Sequence, residues 1–345
     1  MSEAKPLLAI TMGDPAGVGP ELCLKALNSE AVHEYCRPVV FGDATLLKRV
    51  AEWTKQSFAF DILPKDKFQP FDGQGIKGPS VYDFSNVDMN AIQPGQVSAG
   101  TGQASFEYVV SAIELAQEQS VQGLVTAPIH KFAWKQAGID FPGHTELLEQ
   151  QTESKEVCML LTSADISCSL VTTHIGLNAV SQALSSEKIL KVIRLTHQAL
   201  SQIYPEKAGS IRLGVLGLNP HNGESGLFGL NEEATIIEPA LKAARSLDIS
   251  VVGPLAPDTA FIQANRDRLD AFVCMYHDQG LIPLKLLAFD SAVNVTLGLS
   301  ITRTSVDHGT ALDIAWKGLA SDTSLQSAIQ LASKLSSPVM LKGSS

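Results

Sequence analysis

The chain is missing several signatures that direct a protein to a known chemistry. None of its five cysteines (Cys23, Cys36, Cys158, Cys168, Cys274) stands in CxxC spacing, which leaves no thiol motif for metal or redox work. Four of them have apolar neighbours, so small buried hydrophobes are expected, with the thiols reduced. No apolar run is long enough to cross a bilayer, and no charged-then-apolar signal opens the chain, so a cytoplasmic protein without a membrane partner is expected. Positive charge is not in excess: the net charge of -10 argues against nucleic acid and anionic membranes as partners. Low-complexity blocks and internal repeats are absent as well. The GxGxxG and GxxxxGK[ST] spacings do not occur, so a dinucleotide or phosphate loop of those kinds is not supported.

At 345 residues, 45% of them hydrophobic and 18% charged, the chain is long and apolar enough for two domains with sizeable cores. Strand-like runs at Leu7 to Met12, Arg37 to Gly42 and Gly123 to Thr126 alternate with helical patterns at Leu22 to Leu27, Ala44 to Trp53 and about Gly102 to Gln119. This alternation predicts an α/β architecture with a largely parallel sheet. Paired strands are expected at Val157 to Leu161 and Ile166 to Thr173. Further helices are expected at Glu187 to Gln202, Glu232 to Leu247 and Ser324 to Leu335.

The stretch richest in chemistry is Tyr276 to Asp313. An apolar run from Ala271 to Tyr276 stops abruptly at His277-Asp278-Gln279-Gly280, the pattern of a buried parallel strand whose carboxyl end opens into a site. Two other segments, LVTTHIGL (Leu170 to Leu177) and LGLNPHNGESGLFGLNEE (Leu216 to Glu233), also place a His soon after an apolar run. A single such His is usually a loop residue. Three in the same position make His174, His221 and His277 a candidate set for a divalent metal, since neutral imidazole is a common ligand. Lys285 and Arg303 offer a local cationic pocket within an acidic protein.

Other positions keep two readings. In GDPAGVGPE (Gly13 to Glu21), Asp14 is either a site residue or a turn former, and Glu21 suits a helix start. In FPGHTE, before a helix beginning near Glu146, His144 and Thr145 either present donors to an anion or leave Thr145 as an N-cap with His144 exposed. His33 and His197 read as structural. Asp258, in PDT, is an acid/base candidate or a helix cap.

The motifs TMGDPAGVGPE, VTAPIHK, PGHTE, TTH, LNPHNGE, YHDQGLIPLK and VNVTLGLSITRTSVDHGTALDIA, spread from Thr11 to Ala315, together resemble the 4-hydroxythreonine-4-phosphate dehydrogenase family. The resemblance implies the isocitrate/isopropylmalate dehydrogenase-like α/β fold, with two α/β/α domains and a cleft between them. A larger domain on the cofactor side is then expected at 1–135 plus 286–345, and a smaller one with the metal and the dimer contact at 136–285. It implies a homodimer whose site is shared between subunits, NAD or NADP as cofactor, and one divalent ion (Zn, Mg or Co) on His174, His221 and His277. Substrate-binding positions fall on His144, Thr145, Lys285, Asn294 and Arg303, and cofactor-binding positions on His308, Gly309, Thr310 and Asp313. Catalytic candidates are Asp278, Asp258 and Lys285.

The implied reaction is oxidation of 4-phosphooxy-L-threonine with decarboxylation to 3-amino-2-oxopropyl phosphate, a step of pyridoxine 5'-phosphate (vitamin B6) biosynthesis. The alternative is a sister dehydrogenase acting on 4-phospho-D-threonate or 4-phospho-D-erythronate. VDHGT resembles the vitamin B6 enzyme, whereas GLFG and IPLKLL resemble the sister group, and Ser300 stands where the family usually has Pro.

Overall fold

The computed structural model describes residues 5–67 and 71–336. In chain order its elements are β1 (Leu7–Thr11), α1 (Gly19–Asn28), α2 (Glu30–Tyr35), β2 (Arg37–Gly42), α3 (Ala44–Thr54), β3 (Asp61–Pro64), β4 (Ser80–Asp83), α4 (Ala99–Gln117), β5 (Gly123–Thr126), α5 (Lys131–Gln136) and α6 (His144–Gln151). There follow β6 (Cys158–Thr162), β7 (Ser167–Leu170), α7 (Val180–Ala183), α8 (Ser186–Ile203), β8 (Arg212–Leu216), α9 (Glu238–Arg245), β9 (Ser250–Leu255) and α10 (Gln263–Arg266). The chain continues with β10 (Ala271–Cys274), α11 (His277–Ala288), β11 (Val293–Leu297), β12 (Arg303–Val306) and α12 (Thr323–Ser336). Two compact units result: the first runs to Lys155 and resumes at Leu299, and the second spans Glu156–Gly298.

The first unit orders its strands β3-β4-β2-β1-β5-β12, all in parallel pairs. β1 reads LLAIT and is buried throughout, as a parallel strand covered on both faces must be. Helices α1, α4 and α12 pack on these strands. The second unit runs β11-β6-β7-β10-β8-β9. Its β11-β6-β7 part is antiparallel and its β7-β10-β8-β9 part parallel. Leu161, Cys168, Leu170, Leu216, Phe272 and Leu284 belong to its core.

The unit boundaries lie at 155/156 and 298/299, against the 135 and 285 expected. The pairing of Asn294 with Leu161 explains the shift, because it keeps β6 and β11 in one unit. The helix expected from Glu232 opens instead as a π-turn at Glu233–Ile237 before α9. Pro239 has no N–H to give the Thr235 carbonyl, so regular α-bonding starts only beyond it. All five cysteines are buried and unpaired by disulfide, and burial pushes the Cys36 and Cys158 thiols up to about 12. Among the described residues no helix is long and apolar enough to cross a membrane.

Candidate active site

In the second unit the candidate groups gather where β7, β8 and β10 end. The Val171 N–H donates to the Cys274 carbonyl at 2.9 Å, and the Thr172 hydroxyl donates to the Met275 carbonyl at 2.7 Å. Gln279 closes the third side: its Oε1 accepts from the Met275 N–H at 2.7 Å and its Nε2 donates to the Gly217 carbonyl at 2.8 Å. These bonds fix three loops against one another and bring the rings of His174 and His277 to 5.9 Å between centroids. β7 itself stops at Leu170, short of the Thr173 expected, so His174 sits in a bend held by Thr172 and not on a strand end.

His277 opens α11, and its Nδ1 lies 2.7 Å from Asp278 Oδ1. With Nδ1 engaged by a carboxylate, Nε2 is left for a ligand, the usual arrangement behind a metal-binding imidazole.

His221 does not join them. Its loop keeps left-handed backbone from His221 (φ 51) to Ser225 (φ 59), and its ring lies 6.4 Å from Phe228. Among the described residues no three His, Cys, Asp or Glu side chains converge on a point that would hold an ion. Of the three candidate histidines, His174 and His277 are the two whose rings approach each other.

Two glutamates that the sequence reading left without a role brace this loop. Glu233 Oε1 accepts from the N–H groups of Leu218 (2.9 Å) and Asn219 (2.7 Å), while Glu232 Oε2 accepts from Leu230 N–H (2.7 Å) and Asn219 Nδ2 (2.9 Å). Burial opposes the charge on Glu232, but its hydrogen bonds from Ser181, Leu230 and Asn219 outweigh that and hold its carboxyl below the ordinary value.

Lys285 stands two turns along α11 from His277, its Nζ 5.3 Å from the Phe289 ring centroid. Asn294, on β11, has its Oδ1 enclosed and without a hydrogen-bond partner among the described residues. Asp258 is exposed in the turn before α10; the N-cap of α10 is Ile262, so the helix-cap reading of Asp258 does not hold.

The first unit gathers a second set where β1, β5 and β12 end. Arg303 begins β12, 3% exposed, and its Nη2 donates to Thr126 Oγ1 at 2.7 Å. Burial draws its guanidinium down to about 10, so it stays charged at neutrality. α6 opens at His144, not near Glu146, with Gly143 as its N-cap. Thr145 is thus inside the first turn, and the N-cap reading fails. His144 is not exposed either: its Nε2 is enclosed with no hydrogen-bond partner among the described residues. Burial, then the charges of Arg303 and Lys131, hold its imidazole well below 6.5, so it is neutral.

Asp14 is a turn former, and it is also fully buried. Its Oδ1 accepts from Ala16 N–H at 2.9 Å and its Oδ2 from the Thr101 hydroxyl at 3.2 Å. Burial raises its carboxyl despite these bonds and the nearby His130. Val18 N–H donates to Thr310 O at 3.0 Å, so the cofactor candidates lie against this turn, with Thr310 buried and His308, Gly309 and Asp313 exposed. Thr126, His130 and Lys131 had no role in the sequence reading. The signal was there, because VTAPIHK ends a strand in His-Lys much as His277 follows β10.

The sequence profile described as Pyridoxal phosphate biosynthetic protein PdxA matches residues 34–332. A 4-hydroxythreonine-4-phosphate dehydrogenase of Desulforapulum autotrophicum is 43% identical over 96% of this chain and 96% of its own. A D-threonate 4-phosphate dehydrogenase of Cupriavidus necator is 38% identical over 97% of this chain and 98% of its own. The crystal structure of 4-hydroxythreonine-4-phosphate dehydrogenase from Klebsiella pneumoniae superposes with a TM-score of 0.83, at 38% identity, covering 96% of this chain and 100% of that one. With matches of this extent laid over the parallel-strand ends and their His, Lys and Arg groups, the chain belongs to the PdxA family of pyridoxal phosphate biosynthetic proteins.

Proposed function

We propose that the chain is an NAD(P)-dependent, metal-requiring dehydrogenase. It oxidises the secondary alcohol of 4-phosphooxy-L-threonine and releases carbon dioxide to give 3-amino-2-oxopropyl phosphate. The observation that carries this reading is the His174–His277 pair with Asp278 behind it, in a chain 43% identical to a 4-hydroxythreonine-4-phosphate dehydrogenase.

His174 and His277 would hold a divalent ion, which would supply Lewis acidity toward the alcohol and carbonyl oxygens, and NAD(P) would supply the hydride acceptor. The protein's own groups do the rest. Asp278 fixes the tautomer and orientation of His277. Arg303, rigid and charged, suits bidentate binding of an anionic oxygen pair, and Lys285 supplies a point charge. Asn294 and Thr145 add polar contacts, and neutral His144 offers a ring nitrogen without adding charge. Lys285 and Asp258 are the candidates for proton transfer. His308, Gly309, Thr310 and Asp313 form the surface for the dinucleotide.

The enzyme works as a homodimer with a shared site, which accounts for the incomplete metal set: His221 completes the His174–His277 pair from a second copy of the chain. The exposed apolar face of α11 (Ile282 59%, Leu286 82%, Phe289 69%) supports this, since it flanks the site on the same helix as His277.

The second reading, a sugar-acid dehydrogenase, has the 38%-identical D-threonate 4-phosphate relative in its favour. NADH formation with 4-phosphooxy-L-threonine, 4-phospho-D-threonate and 4-phospho-D-erythronate, each with and without chelator, separates the two. The expected result is turnover of the amino substrate that is lost on chelation. Turnover of only a sugar acid moves the protein to the sister reaction, and chelator-independent rates remove the metal.

A further inference from the structure

Several positive groups converge at one place in the first unit, and the assignments above leave one of them without a role. Lys131, the first residue of α5, projects across the opening of α6. A methyl built on Gly143, the N-cap of α6, would lie 3.4 Å from Lys131 Cε and 3.8 Å from its Nζ. Gly143 provides no side-chain cap, so the first-turn N–H groups of α6 are left without one beside the Lys131 ammonium. A helix N-terminus already carries partial positive charge, and a cation beside it is unfavourable unless an anion joins them. Arg303 and Lys131 both lie close enough to His144 to add to the effect of its burial, and His144 Nε2 is enclosed with no hydrogen-bond partner among the described residues. Glu146 Oε2, 3.5 Å from the same built methyl, is the carboxylate on the spot, one negative charge against two positive ones and a helix end.

We infer that Lys131 is a phosphate-binding residue: its ammonium, the first turn of α6, His144 and Arg303 receive the phosphate monoester of the substrate. This rests on the reading of the substrate as a phosphorylated hydroxy acid. A monoester dianion matches the site in charge and in number of acceptors, because its oxygens take N–H bonds from the helix turn and charge-assisted bonds from the side chains. A cofactor phosphate has the same chemistry, so the test separates the two sources.

Lys131→Met and Lys131→Arg are compared with wild type in three measurements: inorganic phosphate binding by thermal shift, KM for the phosphorylated acid and for the dinucleotide, and the ratio of kcat/KM between the phosphorylated acid and its dephosphorylated counterpart. Loss of one charge-assisted bond corresponds to about a 10- to 100-fold change. For Lys131→Met we expect a phosphate Kd and a substrate KM raised by that factor, a kcat/KM ratio lowered by it, and recovery of most of the loss in Lys131→Arg. Unchanged phosphate binding, an unchanged ratio, or a KM effect confined to the dinucleotide each overturns the assignment. If wild type turns over none of the phosphorylated acids but its phosphate binding still weakens in Lys131→Met, the anion site stands and only the substrate reading falls.

Discussion

At the scale of single residues, the buried Asp14 is the most consequential group outside the two clusters. It accepts from Ala16 and Thr101 inside a turn with no exposure, and burial raises its carboxyl above the ordinary 3.8. The folded protein therefore holds the proton more tightly than the unfolded chain. The stability this provides is complete below the unfolded value and is lost as pH rises through the raised folded one. Asp14→Asn keeps an acceptor for Ala16 and has no proton to lose. Thermal unfolding followed from acid to neutral pH should thus show wild type losing ground relative to Asp14→Asn; a gap independent of pH would mean that burial does not raise the Asp14 carboxyl. The sequence offered Asp14 as a site residue or a turn former, and neither reading reveals how deeply it is buried.

At the scale of elements, the strand–turn–helix unit β1–α1 depends on close backbone approach. Gly13 sits at φ +71 with the Pro128 carbonyl where a Cβ would be, and Gly19 packs directly on the Met12 carbonyl. Glu21 lies in the first turn of α1 as expected, and it also accepts from Gly318 N–H (3.0 Å) and Ala320 N–H (2.9 Å), joining α1 to the turn before α12. Gly19→Ala should cost about 3 kcal/mol, since backbone cannot yield as a side chain can. A urea midpoint near wild type would contradict the close packing of α1 on β1. GDPAGVGPE announced the tight turn, and the apolar runs marked β1, β2, β5, β6 and β10 within a residue or two, because alternation and punctuation are local properties.

At the scale of the whole molecule, the apolar face Ile282, Leu286 and Phe289 on α11 needs a cover. Leu286→Glu together with Phe289→Glu should turn a dimer into monomer in sedimentation and abolish turnover. As a companion measurement, inactive His174→Ala and His221→Ala chains, mixed and reassembled, should regain about a quarter of wild-type activity if their missing ligands come from different copies. A persistent dimer would remove the α11 face as the interface, and no recovery on mixing would argue against ligands shared between copies.

The sequence by itself determined the α/β class, several of the strand and helix sites, the family and the identity of the candidate groups, because each is carried by local pattern or by short motifs. Tertiary structure alone decided which of these groups meet. His174 and His277 approach because Thr172 and Gln279 lock three loop ends, while Glu232 and Glu233 brace the residues that flank the left-handed turn carrying His221. Lys131 comes to the mouth of α6 through packing between residues 131 and 143, a contact that no local periodicity encodes.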